Sequence, residues 1–140
     1  MIPTGHRVLL VEDEPLVARS LMLVLRSFHP VHAADVSAIP AALAGVGPVA
    51  CVLSDLGVPG GGGPAAWDVL ERVRPDLLPH FRVLTGGGSS LAHFAAFLDA
   101  KKPIVWTKPI DPLTLRLLVQ EILDQAQATL DVSGPEGGAA

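Results

Sequence analysis

The chain has 140 residues, 49% apolar and 17% charged, with 10 basic residues against 14 acidic ones and a formal net charge of -4. A single domain of this length removes about 68% of its unfolded surface from water, so it holds a core without staples, and the lone Cys51 excludes a disulfide scaffold. No basic run exceeds Lys101 and Lys102, which argues against direct nucleic-acid binding.

The first apolar run, Val8 to Val11, reads as a strand and stops at Glu12, too short for the core of a secretory signal. Pro15 opens a first helix. At 100° per residue, Val17, Ser20, Leu21, Val24 and Phe28 share its core face, Met22 lies nearly opposite, and Leu16 and Leu23 edge away. A weaker strand covers Val31 to Ala34. The uncharged stretch Val36 to Ser54 is long enough to cross a bilayer, but Pro40, Gly45, Gly47 and Pro48 cut it into a helix near Val36 to Ala44, a turn, and a strand from Val49. Pro40 is tolerated if that helix begins near Ser37 or Ile39. These features predict a cytoplasmic protein with no membrane insertion.

Val49 to Leu53, Arg82 to Leu84 and Ile104 to Trp106 complete five strands, apolar on consecutive residues as in strands buried on both faces. Helices are expected from Pro64 after a glycine run, from Leu91 after Ser89 and Ser90, and from Pro112 with Asp111 as N-cap. The alternation predicts an α/β fold, a parallel sheet with helices on both faces. One domain spans residues 6 to 127. Residues 1 to 5 and 128 to 140 are expected as flexible ends, the glycine-rich stretch from Asp131 most clearly, and no output domain is expected after the last helix.

In such a fold the polar groups that matter lie just past the carboxyl ends of the strands. Those positions hold Glu12 and Asp13, Asp55, Thr85 and Lys108. Three ionised carboxylates gathered there repel by roughly 4 kcal/mol per close pair at an effective dielectric near 20, so they call for a cation. A small set of hard oxygen ligands with room for water and phosphate favours Mg2+ over zinc. Lys108 offers a compact positive charge to a phosphoryl oxygen, and the Thr85 hydroxyl offers a donor. Gly57 and Gly60 to Gly63 free the loop after Asp55 for close backbone approach, leaving the Gly57 carbonyl for metal, while Gly86 keeps the other side open. Pro109 after Lys108 admits a cis bond.

Competing readings are weaker. The glycine run lacks a following Lys-Ser or Lys-Thr, and no G-x-G-x-x-G opens a helix after the first strand. An aspartyl-nucleophile phosphatase usually places a second acid two residues on, where Gly57 stands. His29 and His32 flank Pro30, cannot share a helical face, and read as loop histidines rather than metal ligands. Cys51 reads as a buried strand residue.

The segments Val8-Leu9-Leu10-Val11-Glu12-Asp13-Glu14-Pro15, Leu53-Ser54-Asp55-Leu56-Gly57-Val58-Pro59 with Gly63, Leu84-Thr85-Gly86, and Lys108-Pro109 resemble, in order and spacing, the receiver domain of two-component response regulators. The resemblance implies a flavodoxin-like doubly wound (βα)5 fold with strand order 2-1-3-4-5. It implies that Asp55 accepts a phosphoryl group from a histidine kinase or histidine phosphotransfer domain. Asp13 would bind Mg2+ directly, Glu12 through water, and the Gly57 carbonyl would complete the protein ligands. Thr85 would move inward onto the phosphoryl group beside Gly86, Lys108 would pair with its oxygens, and the bond before Pro109 would be cis. Slow self-dephosphorylation is implied as well.

Two departures stand out. Val105 replaces an aromatic residue frequent three places before the lysine, and Gly57 and Gly87 carry no side chain to position an attacking water. The segment from Phe97-Leu98 to Pro109 is similar to receivers at the carboxyl end of hybrid histidine kinases, which favours that setting or a stand-alone relay. A degenerate receiver that only binds proteins is the alternative. Leu16, Met22 and Leu23 are expected to dock the donor's helices, and a weak homodimer is allowed.

Overall fold

A computed structural model describes residues 6 to 133. Five strands form one parallel sheet: β1 (Arg7–Val11), β2 (Val31–Ala33), β3 (Val49–Asp55), β4 (Phe81–Thr85) and β5 (Ile104–Thr107), in the order β2-β1-β3-β4-β5. Successive side chains of a strand point to opposite faces, and the apolar runs therefore feed two cores. Leu9, Val11, Val52, Phe81 and Val83 enter one. Val8, Leu10, Cys51, Leu53 and Leu84 enter the other.

The helices divide accordingly. α1 (Pro15–Val24) contributes Ala18, and α6 (Pro112–Ser133) contributes Leu115, Val119, Ile122 and Leu123, to the second core. α2 (Ile39–Leu43), α3 (Gly62–Val73) and α5 (Ala95–Lys101) cover the first with Ile39, Ala66, Leu70 and Phe97. α4 (Ser89–His93) precedes α5. This is the doubly wound flavodoxin-like arrangement with the expected strand order. Among the described residues, no helix is long and apolar enough to cross a membrane.

Several local expectations are corrected. Burial on both faces holds for β1, β3 and β4, but β2 and β5 are edge strands, and Ile104 and Thr107 are exposed. The second helical segment is divided: Val36–Ala38 is a 3-10 turn capped by the Asp35 carboxylate on the Ala38 amide, and α2 follows with Pro40 in its first turn. The fourth segment breaks at Phe94, whose φ of -105° and ψ of 22° leave the helical region as its ring packs toward Gly62 and the first core. α3 begins at Gly62, two residues ahead of Pro64. Finally, α6 continues to Ser133 rather than ending near residue 127, since neither glycine nor proline intervenes between Pro112 and Gly134. The expected flexible ends at 1 to 5 and 134 to 140 lie outside the described residues.

On α1 and just past it, Ala18 and Leu25 are buried in the second core and Leu21, Met22, Val24 and Phe28 pack against it, so Leu21, Val24 and Phe28 lie inward as expected. Met22 therefore packs inward and Ser20 is exposed, the reverse of the sequence expectation, whereas Leu16 (73% exposed) and Leu23 (62%) do face outward.

Candidate functional site

The site lies at the carboxyl edge of the sheet and is assembled by parallel register. β1 pairs with β3 and β3 with β4, so Val11, Ser54 and Val83 lie side by side, and the next residues of each strand emerge at one rim. Glu12 follows β1, Asp55 and Thr85 end β3 and β4, and Lys108 follows β5. The sequence-predicted carboxylates do meet: one ligand oxygen from each of Glu12, Asp13 and Asp55 can be chosen so that all lie within 4.8 Å of one another.

Lys108 ties two of them together. Its ammonium donates to Asp55 Oδ1 at 3.0 Å and to Glu12 Oε1 at 3.3 Å. Burial pulls the Lys108 pKa down, but the hydrogen bond and charge of Asp55, with those of Glu12, outweigh it, and the net direction is upward. Its backbone is placed as well, because the Lys108 amide donates to the Thr85 carbonyl at 2.7 Å and the Lys108–Pro109 bond is cis.

Each acid has a distinct setting. Glu12 is 2% exposed, and its second oxygen accepts from the Glu14 amide at 3.1 Å. Asp55 is half-buried and accepts from the Gly57 amide through Oδ2 at 3.1 Å. Asp13 is exposed, which leaves the site open to solvent on that side.

The loop after Asp55 needs glycine for its backbone. Gly60, Gly61 and Gly62 have φ of 96°, 114° and 73°, where residues with a Cβ are strained, and a Cβ on Gly62 would sit 2.6 Å from the Leu56 carbonyl oxygen. Gly57 and Gly86 are under no such constraint, since a Cβ on Gly57 would make an ordinary 3.7 Å contact with Asp55 and one on Gly86 would meet nothing within 4 Å. Thr85 is buried, and its hydroxyl accepts from the Gly87 amide at 3.1 Å.

The arrangement has a defined chemical capacity. Three carboxylates against one ammonium leave a local charge of -2, and no imidazole or thiolate belongs to this cluster among the described residues. An all-oxygen set with a solvent-facing member fits a hard divalent ion such as Mg2+ rather than zinc. Glu12 and Asp55 are each contacted by Lys108 and by a backbone amide, and of these two Asp55 is the more exposed, which leaves its carboxylate the one open to an incoming group beside the Lys108 charge.

Sequence reasoning missed one residue that supports the cluster from outside it. His32 is not in a loop: it lies on β2, and its Nε2 is 2.7 Å from the Glu12 carbonyl oxygen. Its signal was only its position one strand away from Glu12, legible once β2 is known to lie beside β1. His29, in contrast, sits at a left-handed turn with its carbonyl accepting from Arg7. A groove of about 500 Å³ adjoins the site, walled by Leu16, Val17, Ser20 and Leu21 of α1 and by Leu84 and Lys108-Pro109-Ile110.

The fold is that of solved receiver domains. The chain is similar to the CheY-like response regulator receiver domain protein from Methanospirillum hungatei JF-1, with a TM-score of 0.74, 20% identity, and coverage of 90% of this chain and 99% of that one. The signal receiver domain of a signal transduction histidine kinase from Syntrophus aciditrophicus gives a TM-score of 0.67 at 22% identity, covering 86% and 91%. The chemotaxis protein CheY4 of Vibrio cholerae gives 0.68 at 20%, covering 85% and 99%. No protein-family model and no curated protein matches the sequence. At these identities the likeness establishes the receiver-domain fold.

Proposed function

We propose that the chain is a phospho-acceptor receiver of two-component signalling that takes a phosphoryl group onto Asp55. The observation that carries this reading is the contact of Lys108 with Asp55 inside the three-carboxylate cluster at the strand ends. A carboxylate oxygen of Asp55 attacks the phosphorus of a phosphohistidine, the P–N bond breaks, and the imidazole leaves with the electron pair and takes its proton from solvent. Lys108 is placed to follow the developing negative charge from Asp55 onto the phosphoryl oxygens, and Thr85, released from the Gly87 amide, to donate to one of them. Asp13, Glu12, Asp55 and the Gly57 carbonyl would hold Mg2+, which neutralises the phosphoryl oxygens when bound. Because Val105 stands in place of a bulky aromatic, we assign the output to partner binding, in a relay or at the end of a hybrid kinase.

The donor is a histidine kinase or histidine phosphotransfer domain. Its helix docks along the groove beside Leu16 and Ile110, which leads straight to Lys108.

Incubation with acetyl phosphate and Mg2+ should add one phosphoryl group of 80 Da (about, by its composition), labile to hydroxylamine, and D55N should abolish it. A chain that stays unmodified with acetyl phosphate and with donor kinases, while folding normally, would leave the site as a protein-binding surface and end this reading.

A further inference from the structure

β2 is an edge strand of three residues, and its middle residue is exposed. Register places His32 opposite Leu10, so its ring reaches past the end of β1 toward the first residue of the site. There Nε2 meets the Glu12 carbonyl oxygen at 2.7 Å. A carbonyl only accepts, which requires the proton to be on Nε2. On its other side, the Glu12 amide donates to the Ala33 carbonyl at 3.1 Å. The two bonds hold the Glu12 backbone from two neighbouring residues of β2.

The Glu12 carbonyl belongs to the planar peptide unit that joins Glu12 to Asp13. Fixing its oxygen fixes the plane, and with it the N–Cα axis of Asp13 from which that side chain branches. Asp13 is exposed and has no side-chain hydrogen bond among the described residues, so its restraint comes through the backbone that His32 and Ala33 hold. Glu12 is aimed separately, through Lys108 and the Glu14 amide.

We infer that His32 is a positioning residue for the metal-ligand pair, holding the Glu12–Asp13 peptide so that the Asp13 carboxylate points into the cluster. The inference rests on the reading that these carboxylates bind Mg2+. His32 touches neither the metal nor the phosphoryl group.

The test is calorimetric titration of Mg2+ into the metal-free full chain for wild type, H32A and H32Q, with thermal melts in chelator alongside. His32→Ala should raise the Mg2+ dissociation constant about tenfold. His32→Gln, which places an amide N–H at similar reach, should restore it to within about threefold. Without metal, both variants should melt within about 5 °C of wild type, since one hydrogen bond at an exposed edge is all that is lost. Unchanged Mg2+ affinity in H32A overturns the inference, as does an H32Q as weak as H32A. If H32A melts lower than that, H32Q against wild type decides on the same criteria. A wild-type chain that binds no Mg2+ removes the metal reading and this inference together, whereas normal wild-type binding with unaltered variants removes this inference alone.

Discussion

Removing Lys108 isolates the electrostatics of the site. Its ammonium is 3.0 Å from one carboxylate oxygen and 3.3 Å from another, and the Lys108, Asp55 and Glu12 side chains are 26%, 19% and 3% exposed. At an effective dielectric near 20, each contact has a gross attraction of about 5 kcal/mol, most of it offset by desolvation. Losing one partner of a buried pair costs about 3–5 kcal/mol and of an exposed pair about 0–1. With Lys108 a quarter exposed and Glu12 buried, Lys108→Ala should cost about 2 kcal/mol in urea unfolding at pH 7.5 with chelator. Mg2+ supplies the missing positive charge, so 10 mM (on the order of a saturating level) should stabilise K108A more than wild type. The folded pKa of Lys108 is raised from 10.5, so in wild type this stabilisation is fully present below that value and fades as pH rises through the higher folded one. Equal stability of K108A and wild type in chelator, or equal gains from Mg2+, would refute the reasoning.

Leu25 is fully buried in the core beneath α1, and Leu25→Ala should lower stability by about 2–5 kcal/mol in the same assay. The Cys51 thiol is pushed up to about 12 by burial, against the opposing pull of Arg82, so it should not react with a disulfide reagent at pH 8 until the chain unfolds. Its reaction rate should therefore track urea concentration. The hydrogen bond and charge of Arg74 hold the Asp76 carboxyl below its usual 3.8, so the pair contributes above that pH and its contribution is lost as pH falls through the lower folded value. Asp76 is 63% exposed and Arg74 34%, so solvent screens the pair, and Asp76→Asn should cost under about 1 kcal/mol at pH 7 and nothing at pH 2, read by melts at the two pH values. Leu16→Glu should slow phosphotransfer from a donor protein about tenfold and leave acetyl phosphate labelling unchanged, because Leu16 lines the groove and is not a member of the carboxylate cluster. Equal slowing of both reactions would place Leu16 in the chemistry rather than in docking.

The site was legible in the sequence because a parallel sheet converts one-dimensional position into three-dimensional proximity. Glu12, Asp55, Thr85 and Lys108 each follow or end an apolar run, and register alone brings them to one rim. A boundary error of a residue or two does not move them off that edge: β3 and β4 turned out to include Asp55 and Thr85, and the cluster formed all the same. Where a residue's role depends on how two elements approach each other, that protection is absent. Phe94 reads as one more apolar residue in a helix, and only its approach to Gly62 explains the break there.

α1 shows the physical origin of the difference. Its residues 16–18 and 21–25 are apolar, so almost any face can be turned to the sheet with an acceptable stripe, and periodicity leaves the azimuth undetermined. Ala18 decides it, because its small side chain lets the helix backbone come close over the second core, which carries Met22 and Leu25 inward and Ser20 out. That rotation changes the surface that borders the site. Met22 is withdrawn into packing, Leu23 remains exposed, and the apolar wall next to Lys108 is formed by Leu16, Val17 and Leu21. A helix orientation too ambiguous to read from spacing thus determines which side chains wall the groove that ends at Lys108.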